Sequence, residues 1–502
     1  MKKTLVFPVW FSLLSIAVAC GSDPPADPGV DGGTSQPPTS CAPAEKSCAG
    51  ACVALDDPRH GCASPSCAPC ASGSCVAGAC SVACDPGRAD CNGDASDGCE
   101  VDTASDPQHC GRCGVVCSAP ADAIATCRAG VCESTCADGY VACAAGCCAA
   151  TGVIAAGDQG SYALTPQGVV EAWGYQGFFD GFVAGADVWT TAKPVPLLTD
   201  PLRHVAASKH RCAVTKAGKA VCWGRGTQGQ LGNNSELDSS TPVGVAGLGS
   251  GVRGISTGAS HSCAVTDAGG VKCWGDRLSG QFGASSPLGS AKTPIDVPAI
   301  VDAVGVTSGG YHACAWTRSG AVQCWGNNSY GQLGDDSKTS SPTPVSAKGL
   351  TDVVLLSAGS QHTCALTKAG QVRCWGSGRA VGGATVDGSQ VPVVVSVGAA
   401  RAIGAGTAHS CAVTVAGAVY CWGENDVGQL GEPTSTGSLT PVAVGGAFTA
   451  VAVAAGRNHT CALTTSGGAK CWGNNWLGPL GDGNRTATDA SSPTPTDVLG
   501  FP

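Results

Sequence analysis

His362-Thr-Cys364-Ala-Leu-Thr-Lys-Ala-Gly370-Gln-Val-Arg-Cys374-Trp375-Gly376 is the stretch whose reading decides the fold. Two short apolar-rich runs flank Lys368-Ala-Gly370, which is the signature of a hairpin with a short glycine-containing turn. Centring that hairpin on Ala369 sets Leu366 opposite Val372, Ala365 opposite Arg373 and Cys364 opposite Cys374. Opposed residues of an antiparallel pair have Cα atoms about 4.5–5.5 Å apart, which is within disulfide reach. The hairpin therefore predicts a covalent bridge between its own two strands.

The stretch recurs. Its Trp-Gly marker stands at Trp173, Trp223, Trp274, Trp325, Trp375, Trp422 and Trp472, with successive gaps of 50, 51, 51, 50, 47 and 50 residues. Seven such units fill residues 151–502, which number 352. A period of this size belongs to a propeller or a solenoid and not to separate domains. Each unit holds an apolar strand such as Val451-Ala-Val-Ala-Ala, then a Gly, the His-x-Cys strand, a short turn and the Cys-Trp-Gly strand. A Pro-Thr-Pro-Val type strand follows, as at Pro342 to Val345. Four short strands per unit with no helical period read as propeller blades. The expected fold is all-β: a seven-bladed propeller preceded by a disulfide-rich, loop-rich stalk. The chain begins the first blade at Gly152-Val-Ile-Ala-Ala and ends on Pro493-Thr-Pro-Thr-Asp-Val-Leu. The C-terminal strand is expected to join the N-terminal blade and leave no open seam.

Six units carry the cysteine pair: Cys212 with Cys222, Cys263 with Cys273, Cys314 with Cys324, Cys364 with Cys374, Cys411 with Cys421, and Cys461 with Cys471. One bridge is expected inside each of these six blades. The first unit departs, with Tyr162 and Ala172 in place of the cysteines.

His-x-Cys-Ala-Leu/Val-Thr-x-x-Gly, then Cys-Trp-Gly, then Gly-Gln-Leu-Gly, resembles the regulator of chromosome condensation repeat. The last element stands at Gly229 to Gly232, Gly331 to Gly334 and Gly428 to Gly431, with near copies at Gly280-Gln-Phe-Gly and Gly478-Pro-Leu-Gly. The fifth unit lacks it, having Ser377-Gly-Arg-Ala-Val-Gly. The resemblance implies a seven-bladed propeller. It also implies guanine-nucleotide exchange as an alternative function, which the export signal described next argues against.

The start of the chain reads as that export signal. Lys2 and Lys3 precede an apolar run, Leu5 to Ala17, too short to span a bilayer. Ala17-Val18-Ala19-Cys20 resembles a bacterial lipoprotein signal, which implies cleavage before Cys20 and lipid on its thiol. Residues 1–19 are then the signal peptide and 20–40 a flexible Pro/Gly/Asp tether. Residues 41–150 hold 20 cysteines among mostly small residues, a stalk that crosslinks must hold together. The 33 cysteines divide as one at the anchor, 20 in the stalk and 12 in the blades. Both larger groups are even, and Cys20, lipidated, needs no partner. Cys67-x2-Cys70 and Cys110-x2-Cys113 have zinc spacing, but behind an export signal disulfides are the expected state.

Several motifs resemble chemistry without supplying it. Gly254-Ile-Ser256-Thr-Gly258 spells a nucleophile elbow, and Gly224-Arg-Gly226-Thr-Gln-Gly229 a dinucleotide fingerprint; both are strand or corner positions of the repeat with no helix following. His210, His261, His312, His362, His409 and His459 recur two residues before a blade cysteine, and read as one structural hydrogen-bonding residue per blade, not as a metal ring. No catalytic residue, cofactor or metal is expected.

Charge narrows the partners. Residues 151–502 carry 21 Lys+Arg and 21 Asp+Glu, and the whole chain is −9, so nucleic acid is excluded as a partner. The first unit concentrates Tyr175, Phe178, Phe179, Phe182 and Trp189 in fifteen residues, either packing around the closure blade or forming a binding patch. The sequence thus describes an exported monomer, lipid-anchored to the bacterial outer membrane or cell surface. Its propeller rim binds a protein, peptide or glycan. Inhibition of an extracellular enzyme is the other binding function open to such a rim.

Overall fold

In a computed structural model the described residues run from 153 to 501, apart from 166, 178–187, 277, 284–288, 299, 384 and 485–490, with shorter segments between 41 and 149. Seven four-stranded antiparallel sheets follow one another, each a meander whose spatial order is its sequence order. Their first strands are Ile154–Ala156, Leu202–Ala207, Val252–Thr257, Ala303–Ser308, Val353–Ala358, Ala400–Ala405 and Ala450–Ala455. These strands line a central channel. The fourth strands, such as Ser341–Ser346, are half-buried to exposed and carry the Pro-Thr-Pro residues, as an outermost strand tolerates.

The ring closes differently from expectation. The last strand, Ser491–Asp497, pairs with Ala469–Asn474 of its own blade and with no described strand of the first. Closure instead uses side-by-side contacts between complete blades. Ala192 N donates to Leu499 O at 2.8 Å, Gly483 N to Thr190 O at 2.8 Å, and Phe501 packs on Trp173 with ring centroids 6.0 Å apart. Each blade has its own complete set of four strands, so no blade needs a strand from the other end of the chain.

The core lies between blades. One cluster joins Cys212, Cys222 and Leu231 of the second blade to Ile255, Ala264 and Trp274 of the third. The pattern repeats round the ring, and six of the seven repeat tryptophans have no exposed surface. The hairpin register sets Cys364 opposite Cys374 and Leu366 opposite Val372.

All six expected blade bridges are formed. Cys212 is bonded to Cys222 in the second blade, Cys263 to Cys273 in the third and Cys314 to Cys324 in the fourth. Cys364 is bonded to Cys374 in the fifth, Cys411 to Cys421 in the sixth and Cys461 to Cys471 in the seventh. The paired Cα atoms stand 4.0 to 4.1 Å apart, a little closer than the spacing expected from strand pairing alone. In blade one Tyr162 stands opposite Ala172, a large residue against a small one in the volume of a bridge.

The Cys-rich segment is held by bridges Cys41–Cys52, Cys84–Cys99, Cys110–Cys127 and Cys117–Cys132. Cys110, Cys117 and Cys127 are buried together, so here the sulfurs themselves are the core. By contacts the chain divides into two compact units, residues 1–102 and 103–502. Within the second, the hairpin Tyr140–Cys143 and Gly146–Ala149 lies against the inner strands Val353–Ala358, Ala400–Ala405 and Ala450–Ala455. The end of the Cys-rich segment is therefore packed on the propeller.

Closing a loop of about ten residues contributes roughly 2–3 kcal/mol. The double variant Cys364→Ala/Cys374→Ala should lose about that much in urea denaturation. An unchanged midpoint and slope would show that the bridge contributes nothing.

Candidate functional site

Most seams between blades are built on one backbone carbonyl. In the Gly-Gln-Leu-Gly turn, the glutamine side chain staples its own turn: Gln332 Oε1 accepts from Tyr330 N at 3.0 Å. The leucine fills the core, with Leu231, Leu333 and Leu430 fully buried. The glutamine carbonyl faces the next blade and accepts from its tryptophan; Trp375 Nε1 donates to Gln332 O at 2.8 Å, and Trp274, Trp325 and Trp472 do the same to Gln230, Gln281 and Gln429. The closing glycine has positive φ, and a Cβ on Gly334 would lie 2.8 Å from the Trp375 Nε1 atom. Both facts exclude other residues there.

A second donor reaches the same carbonyl. Thr363 Oγ1 donates to Gln332 O at 3.0 Å and accepts from His312 Nε2 at 2.9 Å. A hydroxyl has one proton, so the imidazole must supply the other and is the Nε2–H tautomer. The same relay joins His210 to Ser262, His362 to Ser410, His409 to Thr460 and His459 to Ser161. Five of the six histidines are thus seam posts, each spent on a hydroxyl of the next blade. Burial pushes their pKa values down to about 3 for His210, His312 and His409 and about 4 for His261, His362 and His459. Among the described residues, the one group close enough to hold a metal is Cys110, Cys117 and Cys132, and all three are disulfide-bonded.

Three of the six seams between consecutive blades depart from the pattern. In the fifth blade the turn Arg379–Val381 replaces the motif, yet Ala380 O accepts from both Trp422 Nε1 at 2.8 Å and Ser410 Oγ at 2.9 Å, while Val381 takes the buried apolar place. Between blades three and four the hydroxyl is missing, because Ala313 stands there. Both His261 ring nitrogens are buried without a hydrogen bond of good geometry, and the nearby His312 backbone only partly offsets the burial. Between blades one and two Gly160 replaces the histidine, and Arg211 replaces the hydroxyl. Its Nε donates to Tyr162 Oη at 2.6 Å and its terminal nitrogens to Tyr175 O and Gly177 O at 3.0 and 3.3 Å. Tyr162 Oη donates to Gln176 Oε1 at 2.7 Å. Three substitutions that look unrelated in the chain meet in one buried knot.

A collar at one end of the channel is open to a ligand. The loops between first and second strands read Gly-x-x-His in most blades. They are tied in a ring by backbone bonds such as Arg457 N to Gly157 O at 3.1 Å and Thr407 N to Gly456 O at 3.1 Å. A Cβ on Gly359 would lie 2.2 Å from Gly406 O of the next blade and from His362 Cε1 of its own, so the collar glycine is the condition for both contacts. The two residues between Gly and His are free to vary. They surround a mouth of about 320 Å³ whose side chains include Asp158, Lys209, Tyr311, Ser360, Thr407 and Arg457. Arg457 pairs with Asp158 at 3.3 Å, and Tyr311 is 48% exposed.

Of the residues singled out in the sequence, Tyr175 ends the third strand of blade one and Trp189 lies on its fourth. Both are half-buried. Trp189 packs against the core between blades one and two, with Lys193 Nζ 5.9 Å from its ring centre. Phe178, Phe179, Phe182 and Cys20 lie outside the described residues. Ser256 of the elbow-like motif is within strand Val252–Thr257, with no turn into a helix. Sequence reasoning missed Arg211 and the collar. The signal for the collar was the variable pair inside an otherwise constant Gly-x-x-His.

These features define a seven-bladed β-propeller of histidine-posted, tryptophan-clasped blades. Models of the regulator of chromosome condensation (RCC1) repeat match residues 218–265, 319–366 and 416–463, and a second model of that repeat matches 252–281, 303–332, 353–380 and 400–429. The propeller thus contains RCC1 repeats between residues 218 and 463, while its first blade lies outside the matched residues. Over 199 residues, 37% of this chain, it is 34% identical to the mitochondrial RCC1 domain-containing protein RUG3 and 32% identical to the ultraviolet-B receptor UVR8, both of Arabidopsis thaliana. The matched segment spans 44% of the length of each of those relatives. Among solved structures, yeast RCC1 (Prp20) bound to Kap60 superposes with a TM-score of 0.59 at 23% identity, covering 67% of this chain and 85% of that one. Human WBSCR16 gives 0.55 at 22% identity, covering 70% and 95%. At such identity the structural likeness concerns the fold.

Two outcomes follow from the seams. Ala313→Ser supplies the missing hydroxyl between His261 and Gln281 O and should raise stability by about 1 kcal/mol; a lowered melting temperature would refute the relay as the reason for the hydroxyl. The histidines are neutral in the fold and protonate near pH 6.5 when unfolded, so the unfolded chain binds more protons below that pH. Their stabilisation is complete above pH 6.5 and should fall by up to about 1.4 kcal/mol per pH unit for each histidine between pH 6.5 and 4. Denaturation midpoints measured across that window that stay level would count against buried neutral imidazoles.

Proposed function

We propose that this chain is an exported binding protein that performs no chemistry of its own and presents the collar end of its propeller to a partner macromolecule. The observation that carries this reading is the contrast between seam and collar. Seam histidines, hydroxyls and tryptophans are buried and most are spent on hydrogen bonds across the seam, whereas the collar positions vary from blade to blade and surround an open mouth. A rigid ring that fixes many loops at once loses little entropy on binding. Relatives support an interaction role: Prp20p of Saccharomyces cerevisiae has binding properties to Gsp1p and histones. Export is supported by the Lys2-Lys3 start, the short apolar run and the cysteine-rich composition, and lipid on Cys20 would tether the chain to the bacterial cell surface. Tyr175 and Trp189 flank the same end of blade one, and the sequence between them supplies Phe178 and Phe179, so this aromatic stretch would extend the contact surface.

The test uses the mature chain as bait for extracytoplasmic proteins and glycans, beside the triple variant Phe178→Ala/Phe179→Ala/Trp189→Ala and the variant Cys20→Ala. A specific partner is expected with wild type, capture weakened about tenfold or more by the triple variant if those residues are anchors, and release of Cys20→Ala from the membrane fraction. Absence of any partner saturable by free bait would overturn the binding reading.

A further inference from the structure

The collar mouth has an unbalanced chemistry. Five of its carbonyls are engaged: Gly157 O accepts from Arg457 N, Ser208 O from Asp158 N at 3.3 Å, Gly359 O from Gly310 N at 3.2 Å, Gly406 O from Ser360 N at 3.3 Å, and Gly456 O from Thr407 N. The polar side chains lining it, Asp158 apart, all carry donors: Lys209, Arg457 and the hydroxyls of Ser208, Tyr311, Ser308, Thr257, Ser360 and Thr407. Of the ionisable groups lining it, Asp158 is the one carboxylate, and Arg457 already covers it at 3.3 Å. Lys209 is half-buried and, among the described residues, has no carboxylate partner. The mouth therefore carries one positive charge in excess, in a chain whose formal charge is −9. Backbone and small side chains wall it, so the field of that charge is concentrated at the opening.

We infer that the mouth receives a carboxylate side chain of a partner polypeptide. The inference rests on the binding reading above and narrows it. A volume of about 320 Å³ takes one or two side chains and no folded surface, so the partner must offer a projecting loop or terminus. Lys209 Nζ would pair with the carboxylate, and the hydroxyls of Ser360, Thr407 and Tyr311 lie round the same opening to donate hydrogen bonds to it. Tyr311, being exposed, offers its ring to the peptide chain on either side of the acidic residue. The loops of blades three and four bring no charge to the mouth, and those of blades seven, one and two bring all of it, so the acidic side chain enters off-centre, beside blade two.

The probes are two pools of labelled, C-terminally amidated hexapeptides, identical except that one has glutamate and the other glutamine at a fixed central position. Free glutarate is the small-molecule arm. With the full mature chain, fluorescence anisotropy should show the glutamate pool binding about tenfold more tightly than the glutamine pool. That preference should shrink in high salt and disappear in Lys209→Gln, while Lys209→Arg keeps it. Near-ultraviolet circular dichroism identifies any variant that fails to fold. Equal binding of the two pools to wild type, or no binding of either, overturns the inference, as does tighter binding of glutarate than of the peptides. A captured partner that is retained unchanged by Lys209→Gln would leave the binding reading standing and remove the carboxylate.

Discussion

One carbonyl oxygen per seam, that of the second residue in Gly-Gln-Leu-Gly or its substitute, is where neighbouring blades are fastened. It is buried, so it must be satisfied. At four seams the next blade satisfies it twice, with an indole N–H and a hydroxyl, and the hydroxyl in turn is satisfied by an imidazole from the blade that owns the carbonyl. The tryptophan, the histidine, the Ser or Thr beside the cysteine and the glycine that lets the indole approach all follow from it. So does the neutrality of the histidines, since a charged imidazole between two apolar sheets would cost more than the bond returns. At the closing seam Pro479 O keeps the hydroxyl of Ser161, but Trp173 Nε1 is left without a bond.

The fold was legible because the hairpin of 362–376 is a local object repeated seven times. Its register follows from a turn of fixed length, and Cys364 opposite Cys374 needs no knowledge of the rest of the chain. The manner of closure was not legible. A chain that begins and ends on strand-like residues is compatible with a shared blade or with separate ones, and which occurs depends on which edge the last strand meets. Proline-bearing Ser491–Asp497 met the edge of its own blade.

The site was harder to read for a physical reason. Repetition makes structural residues conspicuous, and the histidines at constant spacing are posts between pairs of blades, as a recurring structural residue should be. The collar residues that could touch a partner are those that do not repeat, and Lys209, Tyr311 and Arg457 have no sequence marker except their place before a histidine. Arg211 was hidden in the same way. Only contact across two blades relates it to Tyr162 in one unit and to the absent histidine at Gly160.

Each blade bridge joins strands of a single blade, so among the described residues no disulfide crosses a seam between blades. The ring is a set of sewn tiles strung on one chain and otherwise fastened to one another by hydrogen bonds and packing. A pull along the chain would therefore part tiles before it tore one. The chain between two bridged cysteines, sequence separation 10, would be shielded from the load until the disulfide itself was reduced. A propeller stitched this way lengthens under tension in instalments, one blade at a time, with a fixed remnant of each bridged blade that force cannot unravel.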